Sequence, residues 1–367
     1  MTNIIYCGVD FHARQQTICC LKTETGELTS HELKHDPKEA VRQFYAELGG
    51  PVIVGLEASG YTPWFEQLLE ALGHQVWLGD ATEIRRRARR RQKNDRRDAE
   101  LILELMLHDE FPRIHRPSPP SQEILRMLRY RHKLVKLRTI VKNSLHSLSL
   151  QAGLSLQARL FTGPGKQQLL SAPMSPVMQQ QRQQWLELLQ ELNQRITETE
   201  GWLKQQALSD PRVRLLRTHP GVGLLSSLGI VHTLMPVSRF ATTRKVAAYG
   251  GFDPMERSSA DKKRYLGISK AGSRLLRFLL VEATQTAVKT DPELKRFYGR
   301  LAQRRGKPKA KVAVARKLLI RSFIMLRDEI NYAEFQQRGV AARLAREFAR
   351  PNMPVPLIGQ PASPANG

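Results

Sequence analysis

Lys93-Asn94-Asp95-Arg96-Arg97-Asp98-Ala99-Glu100 is the stretch on which the reading of this chain turns. It closes an arginine-dense run, Arg85 to Arg91, and opens an apolar one, Leu101, Ile102, Leu103, Leu105, Met106 and Leu107. Asp95 and Asp98 stand three apart, so a helix sets them on one face. Two carboxylates among so many guanidinium groups make a poor surface for a small acidic substrate. They suit a metal site beside a bound polyanion. Helix capping is the plainer alternative, because acids in a first turn favour the helix dipole. The chain upstream decides between them.

Residues 3–9 read as a buried strand with Asp10 at its end. Residues 16–21 and 28–33 are two more strands, parted by a turn at Thr25-Gly26, and connections this short demand antiparallel hairpins. A helix over 37–48, a buried strand over 51–56 ending in Glu57, a helix opened by Thr62-Pro63 and a strand over 75–78 follow. Three hairpin-linked strands, helix, strand, helix, strand, helix is the order of elements in a ribonuclease H-like fold. In such a sheet the first and fourth strands are neighbours, so Asp10 and Glu57 meet at their carboxyl ends. The last helix crosses nearby with Asp95 and Asp98. Four converging carboxylates raise one another's pKa unless cations neutralise them. Oxygen-only ligands suit magnesium or manganese, typically two ions for phosphodiester chemistry. Taken singly, Asp10 and Glu57 read equally well as turn or surface residues; their joint placement favours the metal.

The totals agree. A chain of 367 residues has room for two or three domains. Its formal charge of +24, from 58 Lys and Arg against 34 Asp and Glu, points to nucleic acid or an anionic membrane. No run approaches the ~20 apolar residues of a membrane span, and the N-terminus carries no signal-peptide pattern. Nucleic acid is therefore the expected partner, and membrane is not. Cys7, Cys19 and Cys20 lack paired-ligand spacing and read as free thiols of a reducing compartment, here the cytoplasm beside the nucleoid. The ten histidines show no metal-ligand spacing.

Downstream, a proline-rich connector over 111–120 leads into a long helix from Ser121 to Gln151. Its basic surface includes Arg126, Arg129, Lys133 and Lys136, placed for phosphate contact. Residues 153–166 read as a loop. A glutamine-rich helix over 175–208 carries Trp185, Leu189, Leu192, Ile196, Thr199 and Leu203 in a heptad seam, which either packs as a hairpin within the chain or pairs protomers. His219-Pro220-Gly221-Val222-Gly223-Leu224 between short helices fits a helix-hairpin-helix, with Gly221 and Gly223 bringing backbone N–H groups to a phosphate. A plain helix–helix turn uses the same residues. Ser258 and Ser259 lie in a basic loop with Lys262 and Lys263, ahead of Lys270, Arg274 and Arg277, again suited to phosphate. With no local histidine to activate either serine, nucleophilic catalysis is the minority reading on spacing alone. Residues 350–367 have the composition of a disordered tail.

Several stretches, taken in order, carry a resemblance. Gly8-Val9-Asp10, Leu56-Glu57-Ala58-Ser59-Gly60 and Asn94-Asp95-Arg96-Arg97-Asp98-Ala99 are followed by Pro220-Gly221-Val222-Gly223, Tyr249-Gly250-Gly251-Phe252-Asp253-Pro254, Ile268-Ser269-Lys270-Ala271-Gly272 and Leu275-Leu276-Arg277. In this the chain resembles the transposases of the insertion sequence 110 family over nearly its whole length. The resemblance implies a RuvC-like metal-binding domain over 1–152 with Asp10, Glu57, Asp95 and Asp98 as its catalytic acids. A helical, coiled-coil segment over 153–209 and a mostly helical transposase domain over 210–349 would follow. It further implies a recombinase that excises and inserts a mobile element through a covalent phosphoserine, with the active site shared between protomers of a homodimer or homotetramer. A structured non-coding guide RNA would bridge donor and target DNA. The family spacing lands the serine on Ser259, with Ala260 where the family has glycine and Ser258 alongside. Two other readings of the residues stay open: a metal-dependent junction endonuclease using water, and a non-catalytic nucleic-acid-binding protein.

Overall fold

Short polar connections fold the first three strands back on one another, and helices cross between the rest. In the computed structural model, which describes residues 4–87, 94–154, 160–259 and 262–348, the chain divides into two units at Arg116 and Pro117. The first unit runs β1 (Ile5–Phe11), β2 (Gln15–Lys22), β3 (Leu28–Lys34), α1 (Lys38–Glu47), β4 (Val52–Glu57), α2 (Pro63–Ala71), β5 (Gln75–Gly79), α3 (Ala81–Arg87) and α4 (Asp95–Leu107). The strands form one sheet in the order β3-β2-β1-β4-β5, with β1 parallel to β4, the neighbours that the element order predicts. Asp10 lies within β1, one residue before its end, and Glu57 closes β4.

The two faces of the sheet are sorted by the alternation of strand side chains. Ile5, Cys7, Val9 and Phe11 join Val54, Leu56, Tyr45, Phe65 and Leu69 in the core beneath α1 and α2. Tyr6, Gly8 and Asp10 take the other face, where α4 lies. Here two glycines decide the packing. Gly8 and Gly55 are register partners on the central strands. A Cβ on Gly8 would run into the Ala99 carbonyl oxygen and lie 2.5 Å from the Leu103 nitrogen; one on Gly55 would strike the Met106 sulfur. The pair opens a notch in which α4 rests almost backbone to backbone on the sheet. Cys19, opposite Gly8 on β2, closes the contact with Ala99 and Leu103.

The second unit is helical apart from one hairpin. It comprises α5 (Pro119–Gln151), α6 (Gly163–Ser171), α7 (Pro176–Ser209), α8 (Pro211–Leu216), α9 (Leu224–Leu234), α10 (Thr243–Tyr249), β6 (Pro254–Ser259), β7 (Lys262–Ile268), α11 (Arg274–Thr290), α12 (Pro292–Arg305), α13 (Lys307–Asp328) and α14 (Tyr332–Phe348). Prolines open many of these helices, and Ser175, Asp210, Thr242, Ser273 and Asp291 cap theirs with side-chain oxygens. Among the described residues no helix is long and apolar enough to cross a membrane.

Three differences from the sequence expectations have physical causes. The heptad seam of α7 is filled within the chain: Leu189, Leu192 and Ile196 pack on Leu134, Val141 and Leu145 of α5. Arg131 pairs with Glu200 at 2.6 Å and Arg138 donates to Asn193 at 3.3 Å, so α5 and α7 run antiparallel. Packing groups α5 with the helices that follow it. The expected loop over 153–166 gives way to α6 from Gly163, with Pro164 in its first turn. The serine-bearing segment is strand instead of loop: residues 256–259 pair antiparallel, one for one, with residues 262–265 in β6 and β7. Residues 260–261, Arg89, Arg90, Arg91 and the expected tail lie outside the described residues, as do the side chains of Ser258, Ser259, Lys262 and Lys263.

One buried polar knot secures the second unit. Asp291 caps α12 and accepts from Arg321 and from the Tyr332 hydroxyl. Burial pushes its carboxyl up, but these donors hold it below its ordinary 3.8. Its stabilising contribution is thus present above that value and is lost as the pH falls below it. Truncation leaves Arg321 buried with Glu293 as its remaining acid. Asp291→Ala is therefore expected to cost about 3–5 kcal/mol in chemical denaturation, and adding Arg321→Met to recover part of it. Gly8→Ala is expected to cost about 1–3 kcal/mol by overpacking the notch. Gly49→Ala, which meets nothing within 4 Å, should stay within about 0.5 kcal/mol of wild type.

Candidate metal centre and nucleic-acid interface

Asp10 shares its sheet face with Gly8, so the notch that seats α4 also sets that helix's first turn over Asp10. Asn94 accepts from the Arg96 N–H and caps α4, while Asp95 and Asp98 lie in its first turn, where they also favour the helix dipole. His12, two residues beyond Asp10, completes the group. Its Nε2 lies 3.1 Å from Asp10 Oδ2 and 3.7 Å from Asp95 Oδ2. One donor atom from each of Asp10, His12 and Asp95 lies within 4.8 Å of the others. Burial raises the Asp10 pKa, His12 opposes the rise, and Asp98 and Asp95 add to it by like charge. Asp98 therefore bears on the site electrostatically.

Glu57 is held differently. Its carboxylate accepts from Arg85 of α3 at 3.1 Å, and it stands outside the group of three. The Arg85 side chain is 73% exposed, and an ion pair so open to water is worth at most about 1 kcal/mol. That is a small barrier to recruiting Glu57 toward a divalent ion. Sequence reasoning assembled four acids and overlooked His12. The ten histidines show no ligand spacing among themselves; the informative relation is between His12 and Asp10, alternate residues at one strand end. The donor set fits a divalent ion: two carboxylates to neutralise it, one imidazole nitrogen, and an acid whose raised pKa a cation would relieve. The imidazole widens the expected oxygen-only set toward manganese and other transition metals.

The basic residues fall in two groups. In the first unit, Arg86 pairs with Glu83 at 2.8 Å and Arg87 is exposed. In the second, Arg126, Arg129, Lys133 and Lys136 are exposed along α5, Arg126 with a weak tie to Glu123 at 3.3 Å. Gly221 has φ +87°, and a Cβ there would press on Ala283 and Ala287 of α11, so close packing accounts for this glycine. Gly223 is exposed at the start of α9.

Two of the sequence motifs prove to be one structure. Ser269 and Lys270 donate backbone N–H groups to Asp253 and Gly251, the Ser269 hydroxyl bonds Asp253, and Arg277 donates to Gly250 and Ala271. Gly251 and Gly272, both at positive φ, allow these segments to interlock. The clasp forms the base of the β6–β7 hairpin, at whose far end Ser258 and Ser259 pair in register with Lys263 and Lys262.

Comparison with known proteins gives both halves a context. Residues 7–152 match the DEDD transposase family of IS110 elements, described as Transposase, and residues 213–299 match the family described as Transposase IS116/IS110/IS902 family. The chain is 29% identical over 294 residues to a probable family 20 transposase of Pseudomonas aeruginosa, covering 76% of this chain and 84% of that protein. It is 30% identical over 234 residues to the transposase of insertion sequence element IS1111A from Coxiella burnetii, covering 61% and 64%. It is 27% identical over 316 residues to that of IS1328 from Yersinia enterocolitica, covering 83% and 89%.

The raised Asp10 pKa yields a test of the metal centre. Without metal, a carboxyl held above its ordinary 3.8 favours the folded state below that pH, and the advantage is lost as the pH rises through the folded value. In chelator at pH 7, Asp10→Asn is therefore expected to melt above wild type, and at pH 3 to show no such gain. Manganese at about 100 times its Kd should stabilise wild type by about 2.7 kcal/mol and leave Asp10→Asn and Asp95→Asn unmoved.

Proposed function

The chain belongs to the IS116/IS110/IS902 family of transposases, enzymes that act on DNA, and from that premise we propose that it is an RNA-guided serine recombinase. The observation that carries the reading is the meeting of Asp10, His12 and Asp95 beside a buried strand end, in a chain whose charge of +24 is suited to a polyanion. Asp10, His12 and Asp95 would hold a divalent ion, magnesium or manganese, with Asp98 and Glu57 as supporting acids. The bound ion would supply stabilisation of the negative charge gathering on a reacting phosphate.

Ser259 is the proposed nucleophile. As its oxygen bonds to phosphorus, the bond from phosphorus to the departing strand's oxygen breaks. The serine gives up its proton and the departing oxygen takes one up. The resulting phosphoserine conserves the energy of the phosphodiester, so the reverse attack by a new strand end rejoins DNA without a nucleotide cofactor. Lys262, the register partner of Ser259, is a cation suited to the phosphate. A working homodimer or homotetramer would bring one protomer's serine to another's acids. Arg126, Arg129, Lys133 and Lys136 on α5 would grip nucleic-acid backbones, as would the run from Arg85 to Arg91. Sequence reading would rest on base pairing by the guide RNA.

Incubation of the full chain with element-end DNA, the element's non-coding RNA and manganese should yield a denaturant-resistant protein–DNA adduct. Ser259→Ala and Asp10→Asn are each expected to lower its yield at least a hundredfold. Cleavage without an adduct would replace serine attack by hydrolysis, and an undiminished adduct in Ser259→Ala would transfer the role to another residue. Lys136→Ala should weaken binding alike for all sequences and reduce the log–log salt slope by about 1.

A further inference from the structure

Beside the clasp, a cavity of about 550 Å³ opens on the surface of the second unit, within the ~300–1,000 Å³ of small-ligand sites. Its floor is apolar, from Phe252, Ile268, Val281 and Val312, and its rim carries Lys270, Arg274 and Arg277. Phe278 forms one wall. The His132 ring of α5 is tilted against its ring, with centroids 4.5 Å apart, and Phe278 is still 39% exposed. Among the described residues no carboxylate lies within 4.0 Å of any of the three cations. Burial and the neighbouring Arg274 lower the Arg277 pKa. Burial lowers that of His132, helped by Lys136, Arg131 and Arg274. Among the described residues the three rim cations thus have no carboxylate in ion-pair contact.

An apolar cavity walled by an aromatic ring and rimmed by cations suits a ligand with an unsaturated ring at one end and an anion at the other. We infer that the cavity receives one unpaired nucleotide of the bound DNA, its base against Phe278 and its phosphate on Lys270 and Arg274. A base on an exposed aromatic face recovers the stacking lost on leaving the duplex. The rigid clasp fixes the slot, since Lys270 is held at φ +57° by its bond to Gly251. Ile268 both lines the cavity and ends β7. At ~3.3 Å per strand residue the serine end of the hairpin is at most about 20 Å away. The extruded nucleotide thus belongs to the DNA close to the cut. The inference rests on the DNA-cleaving reading, and it adds a place where the strand is held open.

The test uses the full chain with element-end DNA and its RNA, carrying 2-aminopurine at each position in turn, in the DNA in one series and in the RNA in another. Binding is followed separately by anisotropy and the adduct by denaturing gel. Wild type is expected to change the emission at one DNA position within a few nucleotides of the cut by at least threefold. Val281→Trp, which fills the slot and spares the three cations, should abolish that change while DNA affinity stays within threefold and the melting curve is retained. Phe278→Leu should weaken the change, and Arg274→Ala should lower affinity. Normal binding and adduct with no DNA position responding, a response confined to RNA, or a response that survives Val281→Trp would each overturn the inference and leave the recombinase standing. Absence of both binding and adduct would remove the recombinase and the inference with it.

Discussion

The near-contact of α4 with the centre of the sheet is the constraint on which the first unit depends. A helix packed on a sheet through ordinary side chains stands off by the length of those chains. Here Gly8 and Gly55, side by side on parallel strands, remove that spacing, and Ala99 presents the smallest side chain to the gap. The helix's first turn is thereby lowered until Asp95 comes within reach of His12 and Asp10. The geometry of this group follows from the missing methyl groups as much as from the acids. The same close fit explains why Asp10 is desolvated and its carboxyl raised.

Close approach made possible by glycine organises the second unit as well. Gly251 and Gly272 let two chain segments, separated by the whole hairpin, pass at backbone distance and exchange hydrogen bonds. A clasp of this kind turns an isolated two-stranded ribbon, marginal in water by itself, into an arm with a fixed root. Its anchoring partners are Arg277 and α11, whose first turns also supply the wall and rim of the adjoining cavity. The anchored arm and the cation-rimmed slot are two products of one packing solution.

Charge is distributed with a division of labour. Buried cations such as Arg321 are matched to acids such as Asp291, because an unpaired charge inside the fold costs several kcal/mol. On α5 and around the cavity the cations are exposed or only partly buried, and several lack a carboxylate partner among the described residues. Such surplus suits a phosphate backbone, whose condensed counterions Lys and Arg release on neutralising it.

Much of the architecture was legible in the order of residues. Alternating and continuous apolar runs identified five strands, short polar turns made the first three a meander, and the element order set β1 beside β4. Local pattern suffices there because strand and helix periods write themselves into the positions of apolar residues. Of the four acids the sequence offered, Asp10 and Asp95 meet beside His12, Asp98 bears on Asp10 only by charge, and Glu57 is bound to Arg85. His12 stands two residues from Asp10, a local signal in the sequence, but its tie to Asp95, eighty-three places along the chain, exists only in the fold. The serine hairpin and α6 escaped because short segments carry too few residues for a period to show. The seam of α7 was visible, but which helix fills it was not. A heptad records that a helix needs a partner, and only the folded chain decides that α5 is the one, by bringing it there first at an effective concentration no second molecule matches.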